Sequence, residues 1–284
     1  MRRLFGLTAP LLILSGVAAA AGIPRISTPP TSKNVQTTTQ FTPQMLQCDS
    51  PDPNRAIIGC GAVISSNATP DIKSIAYSRR GLAYDQLGDR DHAIADLNLA
   101  VVIDPKSVKA LRTRGNYYRD QNDFEHALEN YNQAIALNPK DSDTFTERAN
   151  AYVIHGDFMT AMADYGQAIS LNPKSATAYA SRGEAYRSQG EDDRAIADFD
   201  QAIKLAPKLV EAFIRRGLAQ ENKNDYIRAI ADFTQAIKVD PTNVTAYDER
   251  ASAYEHAGAH DRALADIAQA IKLDPQNPDE HRLH

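Results

Sequence analysis

Arg80, Arg114, Arg148, Arg182, Arg216 and Arg250 follow one another at intervals of 34 residues, and 16 residues beyond each stands Asp96, Asn130, Asp164, Asp198, Asp232 or Asp266. A guanidinium repeated in step with a carboxylate or amide has two uses. It can form a ladder of charge-assisted hydrogen bonds that locks one segment to the next, or it can offer a row of cations to an anionic ligand. The ladder is the favoured reading, because a partly buried arginine needs a partner.

Other reactive side chains are sparse. Cys48 and Cys60 are the only cysteines, in "CDSPDPNRAIIGC". An even count in an exported chain implies a disulfide, and a spacing far from C-x-x-C argues against redox chemistry. Cys60 also fits as a small buried residue. "NRAIIGCGAVI" overlays the second half of a repeat, so a lone helix from Asp52 to Ser66 is expected to cover the start of the array. His256 and His260 are four apart across a helix-ending Gly258, and His281 and His284 lie in a polar tail. Neither pair offers the three or four ligands of a metal site. The sequence contains no G-x-S-x-G, no H-E-x-x-H, no phosphate-binding glycine loop and no dinucleotide fingerprint. It implies no enzyme, no cofactor and no metal. The net charge of -5 disfavours nucleic acid as a partner.

The elements that position the arginines follow from the same period. Pro105, Pro139, Pro173, Pro207, Pro241 and Pro275 are each 34 apart. With that proline at position 32, six units occupy 74–107, 108–141, 142–175, 176–209, 210–243 and 244–277. Apolar and small residues at positions 4, 8 and 11, and again at 20, 24, 27 and 28, predict two amphipathic helices per unit. Position 20 is always alanine, from Ala93 to Ala263, and position 8 is glycine or alanine, so the two helices approach closely. Tyr84, Tyr118, Tyr152, Tyr186 and Tyr254 at position 11, with Tyr131, Tyr165, Phe199 and Phe233 at position 24, fill the space between. Gly88, Asn122, Gly156, Gly190, Asn224 and Gly258 end the first helix at position 15, and the proline ends the second.

These positions and this period resemble the tetratricopeptide repeat (TPR) family from Ser74 to Asn277. Gln220, Leu97 and Ile267 depart from the aromatic pattern. The flanking layout more loosely resembles exported TPR proteins of alphaproteobacteria. The resemblance implies an all-α, right-handed superhelical solenoid of six helix-turn-helix repeats with an N-terminal capping helix. It also implies a concave groove lined by the first helices. The groove residues are then Arg79, Lys109, Arg112, Asn116, Arg119, Glu147, Asn150, Glu184, Arg187, Glu221 and Glu249. Early repeats offer mostly cations and late ones mostly acids, including Glu211, Asp248 and Glu255, which suits an extended peptide of opposite polarity. Family members that grip a C-terminal carboxylate use a lysine and asparagine pair matched here by Arg112 and Asn116. Glu147, Thr177 and Ser181 then break the clamp, so that ligand is not expected.

The N-terminal "MRRLFGLTAPLLILSGVAAAAG", residues 1–22, reads as a signal peptide too short to span a bilayer. Its removal would take the charge to -7. Residues 23–47, rich in Pro, Thr and Ser, read as a disordered linker; 48–73 as the Cys-bearing lead-in; 278–284 as a polar tail. The expectation is a periplasmic or secreted scaffold that binds an envelope protein or peptide. The alternative is a homo-oligomer built through an uncapped last repeat, where Leu264 and Ile271 would be exposed.

Overall fold

The structure is a computed structural model and describes residues 43–275. The expected signal peptide, most of the expected linker and the polar tail lie outside the described residues. Fourteen α-helices make up the described chain. The short α1 (Pro43–Cys48) and α2 (Pro53–Ser65) come first. Six pairs follow: α3 (Pro70–Gln86) with α4 (Arg90–Ile103), α5 (Val108–Asp120) with α6 (Phe124–Leu137), and α7 (Ser142–His155) with α8 (Phe158–Leu171). Next come α9 (Ala176–Ser188) with α10 (Asp192–Leu205), α11 (Val210–Asn222) with α12 (Tyr226–Val239), and α13 (Val244–His256) with α14 (His260–Leu273).

Local chemistry sets these boundaries. Ser107, Asp141, Ser175 and Asn243 precede first helices, and each accepts a hydrogen bond from the backbone N–H three residues on. Asp89, Asp123, Asp157 and Asp225 do the same for second helices. All six position 15 residues have positive φ, from 59° at Asn224 to 87° at Gly156. Asparagine can stand in for glycine there because it tolerates the left-handed region.

Within each pair, the alanines at position 20 are completely buried, as are those at position 27 (Ala100 to Ala270). Tyr131, Tyr165, Phe199 and Phe233 are 0–1% exposed, and each contributes on the order of 2–3 kcal/mol of burial. Position 8 must be small. A Cβ on Gly115 would fall 2.7 Å from the Tyr131 ring and one on Gly217 2.6 Å from Phe233.

Successive first helices touch (α3 with α5, α5 with α7, and so on to α13), whereas no two second helices do. The stack therefore curves with its first helices on the inner face.

Two boundaries differ from expectation. The lead-in is not a lone helix: α1 packs on α2, so the expected linker limit at residue 47 falls inside α1. Ala56, Cys60 and Val63 are buried as positions 20, 24 and 27 are elsewhere, which makes α1–α2 a shortened repeat. The first full repeat also starts early, at Pro70 instead of Ser74, because Pro at the first helical position nucleates an extra turn. Cys48 and Cys60 are joined by a disulfide, with sulfurs 1.95 Å apart and both residues buried. Closing this short loop stabilises the lead-in by roughly 3 kcal/mol. Glycine at 59 lets α1 approach, since a Cβ there would lie 2.4 Å from the Cys48 backbone nitrogen.

Candidate functional site

The six arginines at position 7 all meet their partners on the second helix. Arg80, Arg148, Arg182, Arg216 and Arg250 donate through Nε and Nη2 to both carboxylate oxygens of Asp96, Asp164, Asp198, Asp232 and Asp266, at 2.6–2.9 Å. Arg114 donates through Nε to Asn130 Oδ1 at 2.8 Å, and Asn130 returns its amide to the His126 carbonyl. The five aspartates are 4–6% exposed. The hydrogen bonds to them hold those five guanidiniums above their ordinary pKa, against the opposing effect of burial. Five of the six also lie over the aromatic ring three residues earlier, as Arg148 does over Phe145 at 5.5 Å.

The sequence reading missed a further connection. The remaining nitrogen, Nη1, reaches back to position 25 of the preceding repeat: Arg114 to Asn98 (2.9 Å), Arg148 to Asn132 (2.7 Å), Arg250 to Thr234 (3.1 Å), and Arg216 to Asp200. The signal was present in the period, as a polar residue two places after four of the six Asp or Asn residues, but position 25 varies too much to stand out. With Nε of every arginine bonded to its second-helix partner and Nη1 of four of them tied to the repeat before, the row is committed to the array rather than presented to an anionic ligand.

The inner face differs from the bipolar groove that charge alone suggested. Arg79 Nη1 stands 2.5 Å from Asp49 Oδ1, an ion pair out of line for a hydrogen bond. Arg112 donates to Asp141 at 2.7 Å, and Arg119 to Glu147 and Asp120. Asn116 and Asn150 accept hydrogen bonds from Tyr131 and Tyr165 at 2.8 and 2.6 Å, so both support the core aromatics. Only Lys109 among the early groove cations is exposed without an ion-pair partner. In the fourth repeat, Arg187 and Glu184 form a two-bond pair at 2.7 and 2.9 Å, and Arg215 bridges Glu184 and Glu211.

Glu221 and Glu249 break this pattern of internal neutralisation. They occupy positions 12 and 6 of adjoining repeats, where Arg119 and Glu147 form an ion pair three junctions earlier. Here both are acids. Burial pushes the Glu221 carboxyl up to about 7, helped by the charge of Glu249 and opposed by His256. Burial and then Asp248 raise Glu249, against Arg215 and Arg187. Glu221 Oε1 is enclosed and accepts no hydrogen bond.

His256 Nδ1 bonds the Ser252 carbonyl and its ring stacks on Tyr226, while His260 pairs with Glu255. Their hydrogen bonds draw the two rings to different partners. His281 and His284 lie outside the described residues. No helix among the described residues is long and apolar enough to cross a membrane.

Models of the tetratricopeptide repeat match residues 75–107, 146–209 and 214–278, and a model of the TPR repeat matches 115–154. No curated protein matches the chain. Among solved structures, MamA shares 24% identity with a TM-score of 0.52, over 58% of this chain and 96% of its own. A tetratricopeptide repeat protein from Parabacteroides merdae shares 19% (TM-score 0.61; 84% and 94% covered). PilW, a type IV pilus biogenesis factor, shares 17% (TM-score 0.63; 73% and 97% covered). At these identities the likeness is one of fold: an all-α, right-handed superhelical solenoid. With repeat models covering α3 to α14 and the helix pairs stacked as the period demands, the chain belongs to the tetratricopeptide repeat family, whose members are protein-interaction scaffolds.

Proposed function

We propose that this protein is a non-enzymatic scaffold of the cell envelope that holds a basic segment of another protein along the inner face of repeats 4–6. The observation that carries this reading is the Glu221 and Glu249 pair: two half-buried acids on adjoining first helices, one with an enclosed oxygen that lacks a donor. At the corresponding positions of repeats 2 and 3, Arg119 supplies the cation internally. A lysine or arginine of a bound segment would supply it here, and desolvation at the inner face makes such a contact selective for charge sign. The leader-like N-terminal sequence supports export, and the disulfide suits an oxidising compartment.

Fluorescence anisotropy with two labelled twelve-residue peptides, one lysine-rich and one glutamate-rich, tests the reading. The lysine-rich peptide is expected to bind at pH 8 and to weaken about tenfold with Glu221→Gln and Glu249→Gln together. Equal binding of both peptides, or no response to the double substitution, would overturn it. A second reading, self-association, is favoured by Leu264 on α14, which is 60% exposed whereas its counterparts Ile94, Leu128, Met162, Ile196 and Ile230 are half-buried.

A further inference from the structure

We propose that the junction between the third and fourth repeats is a joint built into the array, across which residues 43–175 and 176–275 open and bend as two blocks. The argument starts from the arginine ties. Arg114, Arg148, Arg216 and Arg250 each cross to the position 25 side chain of the repeat before. Arg182 finds Gly166 at that place, and no crossing bond forms. Close packing does not demand this glycine, because a Cβ on it would meet nothing within 4 Å.

Nothing else replaces the missing tie. Repeats 2 and 3 also share the Arg119–Glu147 pair. Repeats 4 and 5 share the pairs Arg215–Glu184 and Lys223–Asp193, together with a hydrogen bond from Asn222 to Asp192. The lead-in is held to the first repeat by Arg79–Asp49. Among the described residues, no side-chain hydrogen bond or ion pair joins repeat 3 to repeat 4 beyond the Ser175 cap of α9. The seam is apolar: Ala178 packs with Phe145 and Ala168, and Ala185 with Ala149 and Tyr165.

That difference has a mechanical consequence. Apolar contact is non-directional and tolerates small rotations, whereas a hydrogen bond to a guanidinium fixes an angle. In a stack whose units touch only their neighbours, cooperativity is carried by each interface in turn, so the array opens where the coupling is weakest. The joint stands independently of the proposed ligand. A partner that engages both blocks would bind against the bending of this seam.

Native-state hydrogen exchange of the full chain in low denaturant tests the proposal. In the wild type, amides of α3–α8 and of α9–α14 are expected to follow separate opening isotherms that divide at the seam. Gly166→Asn gives Arg182 the acceptor that Asn132 gives Arg148. Gly166→Ala raises helix propensity without an acceptor. Relative to the alanine variant, the asparagine variant is expected to raise protection of the less stable block about tenfold and merge the two isotherms. The reciprocal Asn132→Gly, combined with Glu147→Gln to remove the Arg119 ion pair as well, is expected to divide the array between repeats 2 and 3. A wild type that opens as one unit, identical behaviour of the two Gly166 variants, or an undivided Asn132→Gly/Glu147→Gln variant would each overturn the proposal.

Discussion

Two side chains show how the same array treats charge in opposite ways. Arg148 has partners in every direction: two bonds to Asp164, one to Asn132, and the Phe145 ring beneath. Truncating it strands a carboxylate that is 6% exposed, and removing one partner of such a pair costs about 3 kcal/mol or more. Arg148→Ala is therefore expected to lose about 3 kcal/mol in urea unfolding, and a loss below about 1 kcal/mol would show that the pairing does not lock the repeat. Glu221 is the reverse case, a carboxyl that the fold leaves without a cation. Its folded pKa is raised from an ordinary 4.5 to about 7, so the folded chain holds a proton that the unfolded chain has released. Stability from this group is then fully present below pH 4.5 and is lost as pH rises through about 7. Glu249 shifts in the same direction, and Asp248, His256, Arg187 and Arg215 are the charged groups around the pair. Glu221→Gln is expected to leave stability unchanged at pH 4 and raise it at pH 8 by about 1–2 kcal/mol once solvent screening is allowed for. Melting curves of both proteins across this range would check the sign, and a variant less stable than wild type at pH 8 would refute it. Binding of a lysine-rich segment would weaken over the same interval as pH falls, because protonation removes the charge that attracts it.

At the scale of the helix, small residues have two distinct purposes. Gly217 is a contact residue, with Phe233 occupying the space a Cβ would need. Gly166 has open space around the corresponding position. Alanine is the better helix former by about 1 kcal/mol, so the two substitutions should diverge. Gly217→Ala is expected to destabilise by about 1–3 kcal/mol through overpacking. Gly166→Ala is expected to stabilise by about 0.5–1 kcal/mol. Denaturant midpoints of the two variants check this, and a shift of the same sign in both would mean that propensity outweighs packing. The shortened α1–α2 pair follows the same logic. Its first helix is only six residues long, and a disulfide and the close approach at Gly59 hold it to α2.

At the scale of the molecule, each repeat covers the apolar face of the one before. On α14 that face is only partly covered, with Leu264 60% exposed. If self-association is used, sedimentation of the full chain should show a mass that rises with concentration, and Leu264→Lys should abolish the rise. A mass independent of concentration in the wild type would dismiss that reading. Inner and outer faces also divide the labour. Polar ties at the helix-pair edges fix the stacking, apolar helix pairs provide stability, and the inner face is left to carry unbalanced charge at repeats 5 and 6.

Much of this was legible before any coordinates. The proline period, the alanines at position 20, the position 15 residues with positive φ and the Arg–Asp spacing all depend on contacts within one helix pair, which every repeat restates in the same local register. The shortened repeat was half legible, since Cys60 could be placed in register but α1 is too brief to show a period. Relations between repeats had to await the tertiary structure. Sequence spacing cannot say that Arg119 spends its charge on Glu147, that Asn116 supports Tyr131, or that Arg182 alone among the repeat arginines after the first faces an empty position in the preceding repeat. The physical reason is that intra-repeat geometry is set by helical period and side-chain size, whereas neutralisation between repeats depends on the curvature of the stack and on distances of a few ångströms that composition does not encode.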